Sequence, residues 1–525
     1  MSKLALLLLL AVALLPGAAR AEPFGAAPSL NQPMLDGVTA TALAFMAPRT
    51  LEAIPIPQLA MWGLRGLTTL DPRLTPELLE APNTQPVLRL LGAGRVLLAR
   101  PAPPPTDIAG WAAAISQLAR AAWNSSEQIR QAGTQGLISS FFDELFNHLD
   151  PYSRYTPPAE ARQDRMRRSG RATLGLKLVA AGDGYNIASV QAGGPAAQAG
   201  LRPGERLLQI DGRPVNGIAA TTINAWLDGP DGSSVLLTLR GRDGIARDAS
   251  LVRINLPPET VFATTADNIL FLRITSFASS TASRIAQELI LANAAPQPPI
   301  GVVLDLRGNR GGLLRQAAAA AAMLQPTGII VTTAGRDPDA AHSFQADGRD
   351  LAGGLPVVVV VDGRTASAAE ILAAALADHR RAVVVGSATL GKGLVQTVAE
   401  LPDGGELLIT WSRVLAPRGW PIQALGLLPQ VCTSFGQDAL DHQLAALAQG
   451  IQPMAVPLLR HEQARAPLPP ATALIIRAAC PAAEGRDIDL RAARFLIRTP
   501  RAYATALLPP LPAAPPPAQP AAPSR

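Results

Sequence analysis

The stretch Val357-Val358-Val359-Val360-Val361-Asp362-Gly363-Arg364-Thr365-Ala366-Ser367-Ala368-Ala369-Glu370 decides the fold. Five consecutive β-branched residues with no polar face make a strand buried on both sides, as in a mostly parallel sheet covered by helices. Asp362-Gly363 ends the strand, and the alanine-rich run Ala368–Leu376 predicts a helix. Similar apolar strands flank it at Leu270–Ile274, Gly301–Leu306 and Ala382–Gly386, with Leu407–Trp411 expected to complete the sheet. Helices are expected at Ser279–Ile290 and Gln316–Leu324. This rhythm of strand, helix and strand predicts an α/β core with a buried, mostly parallel sheet over residues 257–431.

Working outward, residues 170–256 predict a β-rich module, with strands at Leu174–Val179, Tyr185–Val190, Arg206–Ile210 and Val235–Arg240. Before it, Ile115, Leu118, Ala122, Ile129, Leu137, Phe141 and Leu145 recur at helical spacing. Residues 111–169 therefore read as a helical pair followed by the linker PYSRYTPPAE. Residues 22–110 are punctuated by proline and carry no chemistry that the sequence identifies. Residues 432–508 form a C-terminal extension. The proline-rich run at 509–525 cannot carry a helix.

The 525 residues include 44 glycines and 49 prolines, so turns and loops are frequent. With 48% hydrophobic residues the chain as a whole is not intrinsically disordered. Net charge is only +6, and no basic stripe interleaved with aromatics marks a nucleic-acid surface. Residues 1–21 show one lysine, an apolar run and Ala19-Arg20-Ala21, the pattern of a secretory signal peptide. The mature chain is expected to be exported, to the periplasm or the periphery of its membrane. Cys432 and Cys480 are the two cysteines, and an oxidising compartment makes them a disulfide candidate. No cysteine or histidine stands at metal-ligand spacing: His461-Glu462 opens like a zinc motif, but position 465 is Arg.

Within the β-rich module, Gly193-Gly194-Pro195-Ala196-Ala197-Gln198-Ala199-Gly200-Leu201-Arg202-Pro203-Gly204 precedes Leu207-Leu208-Gln209-Ile210-Asp211-Gly212. This run resembles a PDZ domain. The resemblance implies capture of a peptide C-terminus by strand addition. By position it assigns the carboxylate-binding loop to Thr173, Leu174, Gly175 and Leu176. Leu174, Leu176 and Ile187 are then expected to offer an apolar pocket.

Ser367 stands where a strand hands over to a helix, so helix N–H groups face any oxyanion that forms there. Ser367 reads equally as a helix cap, with Glu370 its capping-box partner. A serine nucleophile needs a base, and lysine serves once apolar surroundings favour its neutral form. Lys392, between Gly391 and Gly393, is the candidate, with Leu390, Leu394 and Val395 as surroundings and Gln396 one helical turn on to orient the amine. Gly386–Lys392 also fits the start of a phosphate-binding loop, but Gly393 stands where magnesium requires Ser or Thr.

Taken together, residues 129–431 resemble the C-terminal processing, or tail-specific, serine proteases. The resemblance rests on Leu149–Tyr155, the PDZ module, Leu272–Phe277, Leu304-Asp305-Leu306-Arg307-Gly308-Asn309-Arg310-Gly311-Gly312, the Ser367 block, Gly391-Lys392-Gly393 with Gln396, and Leu401–Gly404 with Pro417–Gln423. It implies Ser367 as nucleophile, Lys392 as general base and Gln396 as its orienter. The oxyanion hole falls to backbone N–H groups of Ala368 and of Gly311 or Gly312. No metal or organic cofactor is implied. The implied partners are protein or peptide C-termini, with no nucleic acid and with room for a second copy or a regulatory protein. Two departures stand out: Arg310 in the glycine turn, and Leu428-Pro429-Gln430-Val431 in place of a Pro-Asp ending. The alternative on this fold is a non-catalytic PDZ scaffold or binding protein, against which the intact Ser, Lys and Gln set argues.

Overall fold

The structure, a computed structural model, describes residues 29–509 apart from 81, 83, 170, 171, 192, 347 and 349. The expected signal peptide and nearly all of the proline-rich tail lie outside the described residues. Two compact units divide the chain, Met1–Ala40 with Ala60–Leu145 and Thr41–Leu59 with Phe146–Arg525.

The chain opens with helices α1 (Gln32–Arg49), α2 (Ile56–Leu64) and α3 (Gly66–Leu70). An antiparallel sheet of β1 (Leu74–Leu79), β2 (Val87–Gly92) and β3 (Arg95–Pro101) follows. Helices α4 (Ile108–Ser125) and α5 (Glu127–Phe146) are the expected amphipathic pair, and Gly133, at φ 71°, breaks α5. The supposed linker is built: β4 (Arg154–Thr156) and α6 (Pro158–Ser169) lie in it.

The β-rich module has a sheet in the order β11-β10-β8-β7-β6. Its elements are β5 (Ala172–Thr173), β6 (Leu176–Ala181), β7 (Gly184–Val190), α7 (Pro195–Gln198), β8 (Arg206–Ile210), β9 (Arg213–Pro214), α8 (Ala220–Leu227), β10 (Ser234–Arg240), β11 (Ala246–Val252) and β12 (Ile254–Asn255). Strand β6 is an edge: β7 is its one partner among the described residues.

The core comprises β13 (Val261–Ala266), β14 (Ile269–Ile274), α9 (Thr281–Asn293), β15 (Gly301–Asp305), α10 (Leu314–Ala322), β16 (Gly328–Gly335), β17 (His342–Ala346), β18 (Val357–Val361), α11 (Ala368–Asp378), β19 (Ala382–Gly386), β20 (Leu394–Glu400), β21 (Glu406–Leu415) and β22 (Val431–Cys432). The main sheet runs β13-β14-β15-β18-β19-β22, parallel except for the β13/β14 hairpin. Val357, Val359 and Val361 face one apolar cluster, which includes Leu289, Ala317 and Leu372 from α9, α10 and α11. Val358 and Val360 face the other. That second face is covered from the C-terminal extension, by Leu444 of α12 (Gln437–Gln449), Leu496 of α15 and Ala502 of α16. The intervening helices are α13 (Ala455–Glu462) and α14 (Pro470–Arg477), with α15 at Asp487–Arg498 and α16 at Pro500–Ala506. Burying each valine stabilises by about 1.5–3 kcal/mol, so neither cover is dispensable.

Leu407–Trp411 does not complete the main sheet. It belongs to β21, in a second, antiparallel sheet ordered β17-β16-β21-β20 with β4 paired to β21. A short run of consecutive buried residues suits either kind of sheet, and periodicity alone does not choose between them.

Candidate active site

Ser367 caps α11 with φ 58° and ψ −121°, a left-handed region that a serine occupies only under constraint. The loop leading to it is fixed by the buried Asp362. One carboxylate oxygen accepts the N–H groups of Gly308, Arg364 and Thr365 at 2.9–3.0 Å. Thr365 Oγ1 donates to the Leu306 carbonyl at 2.9 Å, and the Ala366 N–H to that of Asn309 at 2.9 Å. The serine loop is therefore bonded to the glycine turn that follows β15.

Glu370, fully buried on the first turn of α11, joins the two candidate catalytic residues. Its Oε2 accepts the backbone N–H of Ser367 at 2.7 Å and that of Lys392 at 2.9 Å. Its Oε1 accepts the Gly391 N–H at 2.7 Å and the Thr389 hydroxyl. Burial pushes this carboxyl above its ordinary range, while the donors from Thr389, Gly391, Ser367 and Lys392 pull the other way. The capping-box reading and the nucleophile reading of Ser367 thus meet at one carboxylate.

Lys392 owes its glycine neighbours to close backbone packing. A Cβ at Gly393 would lie 2.2 Å from the Gln423 nitrogen, and one at Gly391 3.0 Å from the Gly426 nitrogen. Its Nζ rests 5.0 Å above the ring centroid of Tyr152, a cation–π contact. No hydrogen bond joins the Ser367 and Lys392 side chains among the described residues. The expected apolar wall differs as well: Leu390 is 53% exposed, and Leu394, Val395 and Lys392 are all half-buried.

Gln396 is on strand β20 rather than one helical turn after Lys392. Its amide donates to the Leu394 carbonyl and to Thr410 Oγ1 at 3.1 Å, and Thr410 donates to Asp150 Oδ1 at 2.7 Å. Asp150, Thr410, Leu394 and Gln423 line a cavity of about 390 Å³. Asp150 and Tyr152 went unassigned a role from sequence. The signal for them is the run of polar and aromatic residues Asp150–Tyr155, which leads into the expected linker.

In the glycine turn, Gly311 has φ 97° and lies against the serine: a Cβ there would fall 2.8 Å from Ser367 Cβ and 2.9 Å from the Ala368 nitrogen. Its N–H donates to Asn309 Oδ1 at 2.8 Å, so it turns to an oxyanion only by releasing Asn309. Gly312 is exposed, and neither its N–H nor that of Ala368 has an acceptor among the described residues.

In the β-rich module, Gly175 (φ 70°) donates its N–H to Thr173 Oγ1 at 3.3 Å and accepts from the Gln191 N–H at 2.7 Å. A cavity of about 470 Å³ opens beside Thr173, Gly175, Leu176 and Lys177, with Leu256 and Glu259. Leu174 and Ile187 are buried in the module's own core and do not line it. Leu176 lines it as expected, and Leu256, to which alternation within the strands does not point, supplies apolar surface beside it. Cys432 and Cys480 form a disulfide in the structure.

The peptidase family S41 model matches residues 268–433, and the PDZ domain model residues 187–241. The chain is 33% identical over 305 residues to a carboxy-terminal-processing protease of Bartonella bacilliformis, covering 57% of this chain and 69% of that one. It is 31% identical over 303 residues to a chloroplastic C-terminal processing peptidase of Tetradesmus obliquus, covering 54% and 64%. It is 32% identical over 310 residues to the carboxy-terminal processing protease CtpA of Bacillus subtilis, covering 58% and 66%. The match thus spans about two thirds of each relative's length. A solved photosystem II D1 C-terminal processing protease aligns with 28% identity over 61% of this chain and 93% of its own, with a TM-score of 0.35.

Proposed function

The chain belongs to peptidase family S41, the C-terminal-processing serine endopeptidases that carry a PDZ domain, and from that premise we propose that Ser367 and Lys392 are its catalytic dyad. The observation that carries the assignment is Glu370, whose Oε2 accepts the backbone N–H of both residues. Ser367 Oγ attacks the scissile carbonyl carbon. Lys392, as a neutral amine, takes the hydroxyl proton and returns it to the leaving amine. The Ala368 N–H supplies one oxyanion donor and the Gly311–Gly312 turn the other. Water then hydrolyses the acyl-enzyme through the same two groups. For this, Nζ must leave the Tyr152 face and turn toward Ser367, which makes the described arrangement a resting one. Gln396 with Thr410 and Asp150 anchors the strand that follows Lys392 rather than gripping the amine itself.

The substrate is a protein with a free C-terminus. Its tail adds to the open edge of β6, with its carboxylate at the Thr173–Leu176 loop and its last side chain in the cavity beside Leu176 and Leu256. We place the protein outside the cytoplasm, where the two cysteines can be oxidised. Among the described residues no helix is long and apolar enough to cross a membrane. Contacts with a regulatory protein or a second copy fall to the segments outside the family match. The test offers one unfolded reporter with a free apolar tail, the same tail amidated, and a charged tail, to the full chain beside S367A. Fast cleavage of the free apolar tail alone, absent in S367A, is expected. Equal cleavage of all three removes the tail-recognition role, and no cleavage of any favours a binding protein.

A further inference from the structure

Three loops build the proposed site, and they leave three neighbouring parallel strands. Arg307–Gly312 follows β15, Asp362–Ser367 follows β18, and Ser387–Lys392 follows β19. The ladder fixes the strands, but each loop departs from it separately. The segment Cys480-Pro481-Ala482-Ala483-Glu484-Gly485-Arg486, which connects α14 to α15, is bonded to the root of all three.

At the β19 loop, Ser387 Oγ donates to the Ala483 carbonyl at 2.9 Å and accepts the Ala483 N–H at 3.0 Å. The next residue, Ala388, donates its N–H to the Cys480 carbonyl at 3.3 Å. At the β18 loop, the Gly363 N–H donates to the same Ala483 carbonyl at 2.8 Å, and the Gly485 N–H donates to Asp362 Oδ2 at 3.3 Å. At the β15 loop, Arg307 Nη1 donates to the Arg486 carbonyl at 2.8 Å. The approach is close on both sides. A Cβ at Gly363 would lie 3.1 Å from Ala482 Cβ, and one at Gly485 2.4 Å from Arg307 Cδ.

Both ends of the segment are fastened to the same place. Cys480 is joined to Cys432 on edge strand β22, and Arg486 Nη2 donates to the carbonyl of the adjacent Thr433. Cys432, Cys480, Ser387 and Asp362 are buried, so the disulfide and the inner ends of these bonds are shielded from water, whereas Gly485 and Arg486 are exposed and the Arg307–Arg486 bond is open to solvent.

We infer that Cys480–Arg486 is a positioning strap that holds the three catalytic loops in register, fastened by the Cys432–Cys480 disulfide and by Arg486. This rests on the dyad reading and deepens it. Each contact lies within a few residues of a catalytic group, yet the strap supplies none of the reacting atoms. Its effect is on the relative placement of Ser367, Lys392 and the oxyanion turn, where displacements of about 1 Å cost on the order of a hundredfold in rate.

The test compares the full chain with S387A and with the C432S/C480S double variant. The readouts are kcat and KM on the free-tail reporter, the labelling rate of Ser367 by a fluorophosphonate, and the active-site concentration by titration. Expected is a kcat per titrated site ten- to a hundredfold lower in both variants. The labelling rate should fall in parallel, and KM should stay within twofold. A kcat per titrated site within twofold of wild type overturns the strap, even if less folded enzyme is recovered. If the double variant does not fold, S387A decides alone. Wild-type protein that is not labelled at Ser367 overturns the dyad reading, and the strap with it. Labelled wild type with unchanged variants overturns the strap only.

Discussion

Ser367 sits at φ 58°, where a residue with a side chain is held at a cost of about 1–3 kcal/mol. Glycine has no such penalty, which gives a prediction that separates strain from chemistry. Both S367A and S367G should lose proteolysis, but S367G should melt at or above the temperature of S367A. Thermal denaturation of the two side by side checks this, and a clearly lower S367G contradicts it. Glu370 gives a second prediction. E370Q keeps the shape but turns an N–H₂ toward the backbone N–H of Gly391 or toward those of Ser367 and Lys392, leaving buried backbone donors unmet. We expect stability lower by about 1–3 kcal/mol by chemical denaturation and kcat lower by at least tenfold, because both catalytic loops lose their common anchor. The serine and its capping glutamate were legible together, since they are three residues apart. That the same carboxylate reaches Lys392 was not, because nothing local links positions 370 and 392.

Among the elements, β18 was the most legible, because five valines leave no polar face and demand cover on both sides. The sequence of the strand does not say where the cover comes from. Helices α12, α15 and α16 supply it from the extension that carried no recognisable motif. Gln396 was misread for a related reason: four residues suit a helical turn, but the chain after Lys392 is drawn into β20 by pairing with β21. Helix α11 carries a further consequence at its far end. Burial raises Asp378 to about 7, against hydrogen bonds from the Arg418 N–H and from Trp420 Nε1. Against Trp420, burial lowers His461 to about 4, with its ring 4.5 Å from the indole and its Nε2 on the Gly426 carbonyl. The carboxyl's contribution is fully present below pH 4 and is lost as pH rises through about 7. The imidazole's is present above pH 6.5 and is lost as pH falls through about 4. Between those limits the two slopes oppose, each at most about 1.4 kcal/mol per pH unit. Relative to wild type, D378N should therefore lose stability on acidification from pH 6.5 to 4, and H461Q should gain it. Melting temperatures across that range decide, and parallel profiles for all three would refute the pairing.

In the whole molecule, the proposed recognition and the proposed chemistry occupy separate modules, with the proposed tail site at β6 and the proposed dyad beyond β18 and β19. Gly175 is placed to test that separation. Its φ is 70°, and a Cβ would lie 2.9 Å from Leu256 Cδ1 beside the tail cavity. G175A should raise KM for free-tail substrates about tenfold while kcat changes little, and should leave the labelling of Ser367 unaffected. Equal losses in kcat would mean that the loop serves the chemistry instead. At this scale the sequence disclosed the order of modules, because turn signals and periodicity change between them. It did not disclose the second sheet, whose strands β4, β16, β17, β20 and β21 are gathered from distant stretches of chain.

Ser367 is proposed as a nucleophile made reactive by Lys392. Intact-protein and peptide mass measurement after treatment with a fluorophosphonate tests it most directly. A single adduct is expected, located on Ser367, absent in S367A and formed at least a hundredfold more slowly in K392A. An adduct on another residue, or equal labelling of K392A and wild type, would contradict it.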